Sequence, residues 1–160
     1  MMKLKSRIST LNDLKVIAQL PEDEIALFYM FPKARYPLDV IELESIVKNR
    51  FESTVFLLND KIIGYANIYL YNDEKEPYIG NVILSKEYRG MGFGKEIVQT
   101  MISKAKSKFK TDSIKIAVFK SNINVYDMYK SLGFHEFKAE TREDFKGNKN
   151  ELIFMKLLVG

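Results

Sequence analysis

The sequence predicts an α/β (α+β) domain built on a mixed, mostly antiparallel central sheet with helices on both faces. Three observations predict it. β-branched and aromatic runs fill the middle of the chain, at Thr54 to Leu58, Ile62 to Tyr71 and Tyr78 to Leu84. A long amphipathic run follows, Gly92 to Phe109, in which Ile97, Met101, Ala105 and Phe109 recur four apart. Strand-like runs then return at Ser113 to Val118, Phe134 to Thr141 and Leu152 to Leu157. Strands before and after one long helix require a crossover, so Tyr78 to Leu84 and Ser113 to Val118 are expected to run parallel.

The remaining elements follow in order. Lys3 to Ser9 alternates enough for a first strand. Thr10 opens a helix with Asp13 at capping-box spacing, and Leu11, Leu14, Ile17 and Ala18 share a face. Glu22 to Met30 forms a second short helix that stops before Pro32. Asp39 caps a third, with Glu42 three residues on and Val40, Leu43, Ile46 and Val47 as its apolar stripe. Asn59-Asp60 is a tight hairpin turn and Asn72 to Pro77 a polar one. Asn122 to Leu132 is a helix ended by Gly133, and a closing hairpin turns around Lys146-Gly147-Asn148.

Bulk properties narrow the function. The 160 residues suit one domain, 1–160. Absence of cysteine excludes a disulfide scaffold, thiolate metal ligands and a cysteine nucleophile. His135 is the only histidine, which argues against a Ser-His-Asp triad and a multi-histidine metal site, so no metal is expected. No apolar run reaches the length of a membrane span, and the basic start MMKLKSRIST lacks the apolar stretch of a signal peptide. A cytoplasmic location without membrane association is expected. Net charge is +4, with lysines at 104, 106, 108, 110 and 115. They read as one solvated face; without interleaved aromatics they make a poor nucleic-acid footprint.

The sharpest feature is Arg89-Gly90-Met91-Gly92-Phe93-Gly94-Lys95, between an apolar strand and an amphipathic helix. The first N–H groups of a helix lack intrahelical partners, and the helix dipole adds positive charge there. Glycines clear side chains away and permit positive φ, while Arg89 and Lys95 supply full charge. The combination suits a phosphate or pyrophosphate; the plain alternative is a glycine turn that only joins strand to helix. The G-x-G-x-G spacing misses the dinucleotide pattern by one residue, and Glu96 after Gly94-Lys95 breaks the Walker pattern. Coenzyme A is the remaining phosphorylated class.

Arg89-Gly90-Met91-Gly92-Phe93-Gly94 resembles the [R/Q]-x-x-G-x-[G/A] loop of the GNAT acetyltransferase superfamily. Asn122, Val125, Tyr129 and Gly133-Phe134 are similar to that family's N-x-x-A-x-x-x-Y-x-x-x-G-F, with valine in place of alanine. The resemblance covers almost the whole chain. It implies the GNAT acyl-CoA N-acyltransferase fold, in which the parallel strands splay apart, here Val82 to Leu84 from Ile116 to Val118. It also implies acetyl-CoA as co-substrate, an amine as acceptor, pyrophosphate on the N–H groups of Gly90 to Lys95, and the pantetheine arm against Val82, Ile83, Leu84 and Asn122.

Transfer from a thioester to an amine needs three things: a neutral amine, a stabilised carbonyl oxygen and a leaving thiolate that receives a proton. The resemblance assigns the second to a backbone N–H of Val82 to Leu84 and the third to Tyr129. The alternative for Tyr129 is a core tyrosine. Many family members carry a glutamate on the strand before the loop; Tyr78-Ile79-Gly80-Asn81 has none. Glu76 just upstream, or a water held by Asn81, are the substitutes on offer. A non-catalytic acyl-CoA-binding sensor of the same fold therefore stays open. Acceptor-side candidates are Phe28 to Phe31, Arg35-Tyr36 and Asp144 to Asn150, with Arg35 and Tyr36 as a lip. Dimers are common in the family, which makes a homodimer an expectation by analogy.

Overall fold

A computed structural model describes residues 3–72 and 74–160. Asp73, inside the expected polar turn, lies outside the described residues. Seven strands form one sheet: β1 (Lys5–Ile8), β2 (Phe51–Leu58), β3 (Lys61–Leu70), β4 (Pro77–Leu84), β5 (Ser113–Phe119), β6 (His135–Glu143) and β7 (Lys149–Leu158). Their spatial order is β1-β2-β3-β4-β5-β7-β6. Every neighbouring pair is antiparallel except β4 and β5, which run parallel.

Five helices cover the sheet: α1 (Leu14–Ala18), α2 (Glu24–Met30), α3 (Val40–Val47), α4 (Phe93–Phe109) and α5 (Ile123–Ser131). One face carries Ala66, Ile68, Ile79, Ile116 and Ile153, packed with Ile97, Val98, Met101 and Ala105 of α4 and Tyr129 of α5. The opposite face carries Val55, Tyr65 and Ile83 beneath Ile17, Leu27 and Leu43 of the first three helices. Strand side chains alternate between faces, so one strand feeds two cores.

Local signals account for the helix starts. The Asp23 side chain accepts from the Ala26 N–H at 2.8 Å, and that of Asp39 from the Ile41 N–H at 2.7 Å. At Thr10 the expected helix begins as a single 3-10 turn, Leu11–Asp13, with the Thr10 N–H donating to Asp13 at 2.7 Å. Leu11 points to solvent, 71% exposed, and does not share the buried face of Leu14 and Ile17. The tighter 3-10 turn rotates it out of the 3.6-residue phase. Val40 is likewise exposed at the edge of its stripe, while Leu43 carries the contact.

Two further expectations change. Lys115 does not belong to the solvated lysine face: it is buried on β5 and ion-paired with Glu74 and Glu76. Burial pulls its pKa down, and the hydrogen bonds it donates to those carboxylates, with their charges, outweigh that and raise it. Glu76, offered as a base, is thereby tied to Lys115 at 3.1 Å.

Candidate active site

The site begins at the seam between β4 and β5. Only two rungs pair them, Tyr78 with Lys115 and Ile79 with Ile116. Beyond these, Gly80 to Leu84 has no ladder partner on its β5 side, while β5 stays paired with β7 out to Phe119–Leu152. The two strands therefore part. The β5-facing side of β4 is left without a strand partner along Val82, Ile83 and Leu84, the residues the sequence singled out, with the Leu84 carbonyl accepting from Arg89.

A bulge in β4 accompanies the parting. Asn67 faces Gly80 and Tyr65 faces Ile83, so three steps on β4 oppose two on β3. Asn81 takes φ 50 to make it. The Asn81 side chain bridges two elements: its Nδ2 donates to the Met30 carbonyl at 2.9 Å, and its Oδ1 accepts from Asn67 Nδ2 at 2.9 Å. These bonds pin α2 to the bulge.

At the open end of the seam the glycine loop leads into α4. Gly90 and Gly92 have φ of 78° and 87°, and a Cβ built on either meets nothing within 4 Å. These glycines serve a left-handed backbone facing open space rather than close packing with the protein. Gly92 is the N-cap of α4, and only Gly94 approaches a side chain, Met128. Met91 and Lys95 are exposed, while Phe93 turns inward onto Leu58 and Ile63. Phe93 thus anchors the loop by its ring and offers it only backbone.

Arg89 departs from expectation. Its guanidinium makes two hydrogen bonds to Glu22, at 2.7 and 2.8 Å, and its Nε donates to the Leu84 carbonyl at 3.0 Å. Partial burial, the largest single influence, pushes the Glu22 carboxyl up, but the Arg89 hydrogen bonds, a backbone hydrogen bond and the charges of Arg89 and Lys86 together outweigh it and leave its pKa below the ordinary value. Arg89 is a brace between the loop, β4 and the start of α2; its charge is already compensated, which leaves Lys95 as the exposed cation of the motif.

Asn122 is the N-cap of α5, yet its side chain makes no capping bond. Tyr129 lies one helix turn and more further on, buried in the cluster with Ile79, Ile116 and Val118. Burial alone pushes its hydroxyl pKa well up, so the O–H stays protonated throughout the neutral range.

A model of the acetyltransferase (GNAT) family matches residues 18–134. The chain belongs to that family.

Known relatives agree with the GNAT assignment. A spermine/spermidine N(1)-acetyltransferase of Bacillus subtilis is 26% identical over 94 residues, 55% of this chain and 60% of that protein. The ribosomal-protein-alanine N-acetyltransferase of Brucella melitensis superposes with a TM-score of 0.81 at 19% identity, covering 97% of this chain and 99% of the other. The spermidine N-acetyltransferase of Vibrio cholerae, in complex with CoA and spermine, gives 0.80 at 21% identity, with 97% and 95% covered. At such identities these structures show the shared GNAT fold.

On the acceptor side, Arg35 and Tyr36 have different partners. The Arg35 guanidinium stacks over Phe145 of the β6–β7 turn, 4.1 Å from the ring centroid. Tyr36 donates to the Glu22 carbonyl at 3.2 Å. Phe28 stacks on Phe119 at 4.5 Å and packs α2 to the sheet. Tyr29 bonds Ser121 at 2.8 Å, beside the start of α5. His135 is exposed on edge strand β6.

Two residues carried no sequence signal strong enough to single them out. Asn67, in the middle of an apolar strand, is wholly buried, and its Oδ1 has no hydrogen-bond partner. An orphaned buried acceptor costs about 1–3 kcal/mol. Arg50, just before β2, lies over the Tyr69 ring at 4.4 Å with a buried, unpartnered Nε. Among the described residues, no group of His, Cys, Asp or Glu is placed to hold a metal ion. No helix among them is long and apolar enough to cross a membrane.

Proposed function

We propose that residues 1–160 act as one acetyl-CoA-dependent N-acetyltransferase domain, a cytoplasmic enzyme that acetylates a primary amine directly. The observation that carries the reading is the β4–β5 seam, paired at two rungs and then open toward a glycine-capped helix. Acetyl-CoA supplies an activated thioester. The open space above Gly90 and Gly92 fits its pyrophosphate, which would rest on the N–H groups of residues 90 to 95 with Lys95 nearby. The open edge of Val82 to Leu84 would hold the pantetheine amides much as a strand takes up an added strand, and Asn122 would add its free amide. A backbone N–H on the same edge would stabilise the carbonyl oxygen as it gains charge.

Tyr129 would donate its O–H to the departing sulfur. Attack by the neutral amine leaves one surplus N–H proton as the C–S bond breaks; that proton would reach the departing thiolate through the Tyr129 hydroxyl, which gives up its own proton and takes this one, so its raised pKa leaves it neutral before and after. Glu76 is paired with Lys115 and Asn81 is bonded to Met30 and Asn67, so the reading assigns the base to neither. The acceptor would therefore enter as the free amine, and turnover should rise with pH as that form grows.

Calorimetric titration with acetyl-CoA, against ATP and NAD, tests the cofactor. Selective binding of acetyl-CoA is expected. Equal or stronger binding of ATP or NAD would overturn the reading. Selective binding without turnover of any amine would favour the sensor of the same fold.

A further inference from the structure

On the sheet face opposite α4, β3 presents Tyr65, Asn67 and Tyr69 in a row toward the first three helices. Their polar atoms form a directed chain. The Met30 carbonyl can only accept, which turns the Asn81 Nδ2 toward it and the Asn81 Oδ1 toward Asn67. Asn67 Nδ2 then serves both Asn81 and the Tyr65 hydroxyl, at 2.9 and 3.0 Å, and Tyr65 donates to Ser53 at 3.1 Å. The chain leaves the Asn67 Oδ1 without a partner.

Arg50 stands beside that row. Its guanidinium lies flat on the Tyr69 ring at 4.4 Å, its Nε is buried without a partner, and no carboxylate among the described residues pairs with it. Burial also pulls its pKa down, the mark of a cation lacking local compensation. Other cations behave otherwise: Arg142 is paired with Glu140 at 3.1 Å, Lys115 with Glu74 and Glu76, and Arg89 with Glu22. Arg50 has no such carboxylate among the described residues and is held by stacking on Tyr69.

The place matters as much as the charge. Tyr69 pairs with Tyr78, one rung before the seam opens, and its ring edge leans over Gly80. A Cβ on Gly80 would lie 2.5 Å from that ring edge and 3.0 Å from the orphaned Asn67 Oδ1. Gly80 is the first residue of β4 beyond its last rung with β5. One aromatic ring therefore separates the mouth of the seam from an unpaired guanidinium.

We propose that Arg50 is the anchor for an anionic group on the acceptor, so that the substrate is an amine carrying a carboxylate, such as a small amino acid, with its amine at the mouth of the seam. The inference rests on the transferase reading. A polycation such as spermine would meet an uncompensated arginine at this position, whereas a carboxylate would complete it with charge-assisted hydrogen bonds. The acceptor class would then differ from that of the curated relatives.

The test uses matched probes: α-amino acids and the amines left when each loses its carboxylate, with spermine as a third arm. Thiol release from acetyl-CoA is followed for the wild type and for Arg50→Met, which keeps bulk over Tyr69 without charge. The wild type should prefer the amino acid of a pair by at least about tenfold in kcat/KM. Arg50→Met should lose that preference through KM, with acetyl-CoA affinity at the wild-type value, and Arg50→Lys should recover part of it. Preference for spermine, or an equal rise in KM for both members of each pair, would overturn the anchor. Thermal shift of the CoA-bound protein with the same probes reads binding independently of turnover. Stabilisation by the amino acid alone is expected, and an equal response to both members would also overturn it. Failure to bind acetyl-CoA at all would instead sink the transferase reading.

Discussion

Two regions flank the same strand, and they are built on opposite plans. After β4 lies the glycine loop, where side chains are removed: Gly90 and Gly92 face open space, and the one arginine is tied off by Glu22. Across β4, on β3 and the segment before β2, polar side chains are packed in and two of their atoms stay unsatisfied, Asn67 Oδ1 and Arg50 Nε. In the proposed reading the first region offers backbone to acetyl-CoA and the second offers side chains to the acceptor. A common ligand can be read by geometry alone, whereas a particular one needs chemistry specific to the chain.

The largest effect should come from filling the first region. Gly92→Val introduces a side chain at φ 87° in the space assigned to the pyrophosphate. Acetyl-CoA affinity should fall by about two orders of magnitude or more in calorimetry, since both strain and blockage act there. Gly147→Ala, at φ 82° in the distant β6–β7 turn, is the strain control. It should lower the melting temperature by a similar amount and leave acetyl-CoA binding intact.

Next is Tyr129→Phe. Removing a buried hydroxyl whose pKa is raised by burial alone should scarcely alter packing. It should lower kcat about a hundredfold while acetyl-CoA affinity stays within about twofold. An unchanged kcat would make Tyr129 a core residue.

The loop was legible in the sequence because its chemistry is written in consecutive residues: three glycines, two cations and a helix start. The sheet was legible for the same local reason, and strand and helix boundaries moved by only a few residues. What stayed hidden depends on pairs distant in the chain. Nothing in the sequence joins Arg89 to Glu22, 67 residues away, so its charge appeared free. Lys115 looked like one of a lysine series until the fold set it beside Glu74 and Glu76. Asn67 left a faint mark, a polar residue in an apolar strand. Arg50 left none, since an arginine at a strand start is ordinary until its lack of a partner is visible.

A smaller effect should follow from loosening the brace. Glu22→Gln keeps the shape of the side chain and removes its charge. The KM for acetyl-CoA should rise about threefold with kcat unchanged, in line with an ion pair that is partly exposed. Because the Glu22 pKa is lowered in the folded protein, the same weakening should appear in the wild type as pH falls below the ordinary carboxylate range.

The smallest effect lies away from both regions. Hydrogen bonds from Arg7 lower the Asp13 pKa to about 2. A lowered pKa in the folded state gives stability that is present above the unfolded value near 4 and is lost as pH falls toward about 2. Arg7 is half exposed, so solvent screens the pair and the contribution is small. Asp13→Asn should lower the melting temperature by a few degrees at neutral pH. It should also flatten the acid limb of the stability curve.

The central claim is met most directly by incubating the protein with acetyl-CoA and a panel of primary amines, then measuring free thiol together with the mass of each amine. The account predicts thiol release that depends on one class of amine, rises with pH and is matched by acetylated product. Selective acetyl-CoA binding without amine-dependent thiol release, across amino acids, polyamines and peptides alike, would contradict it.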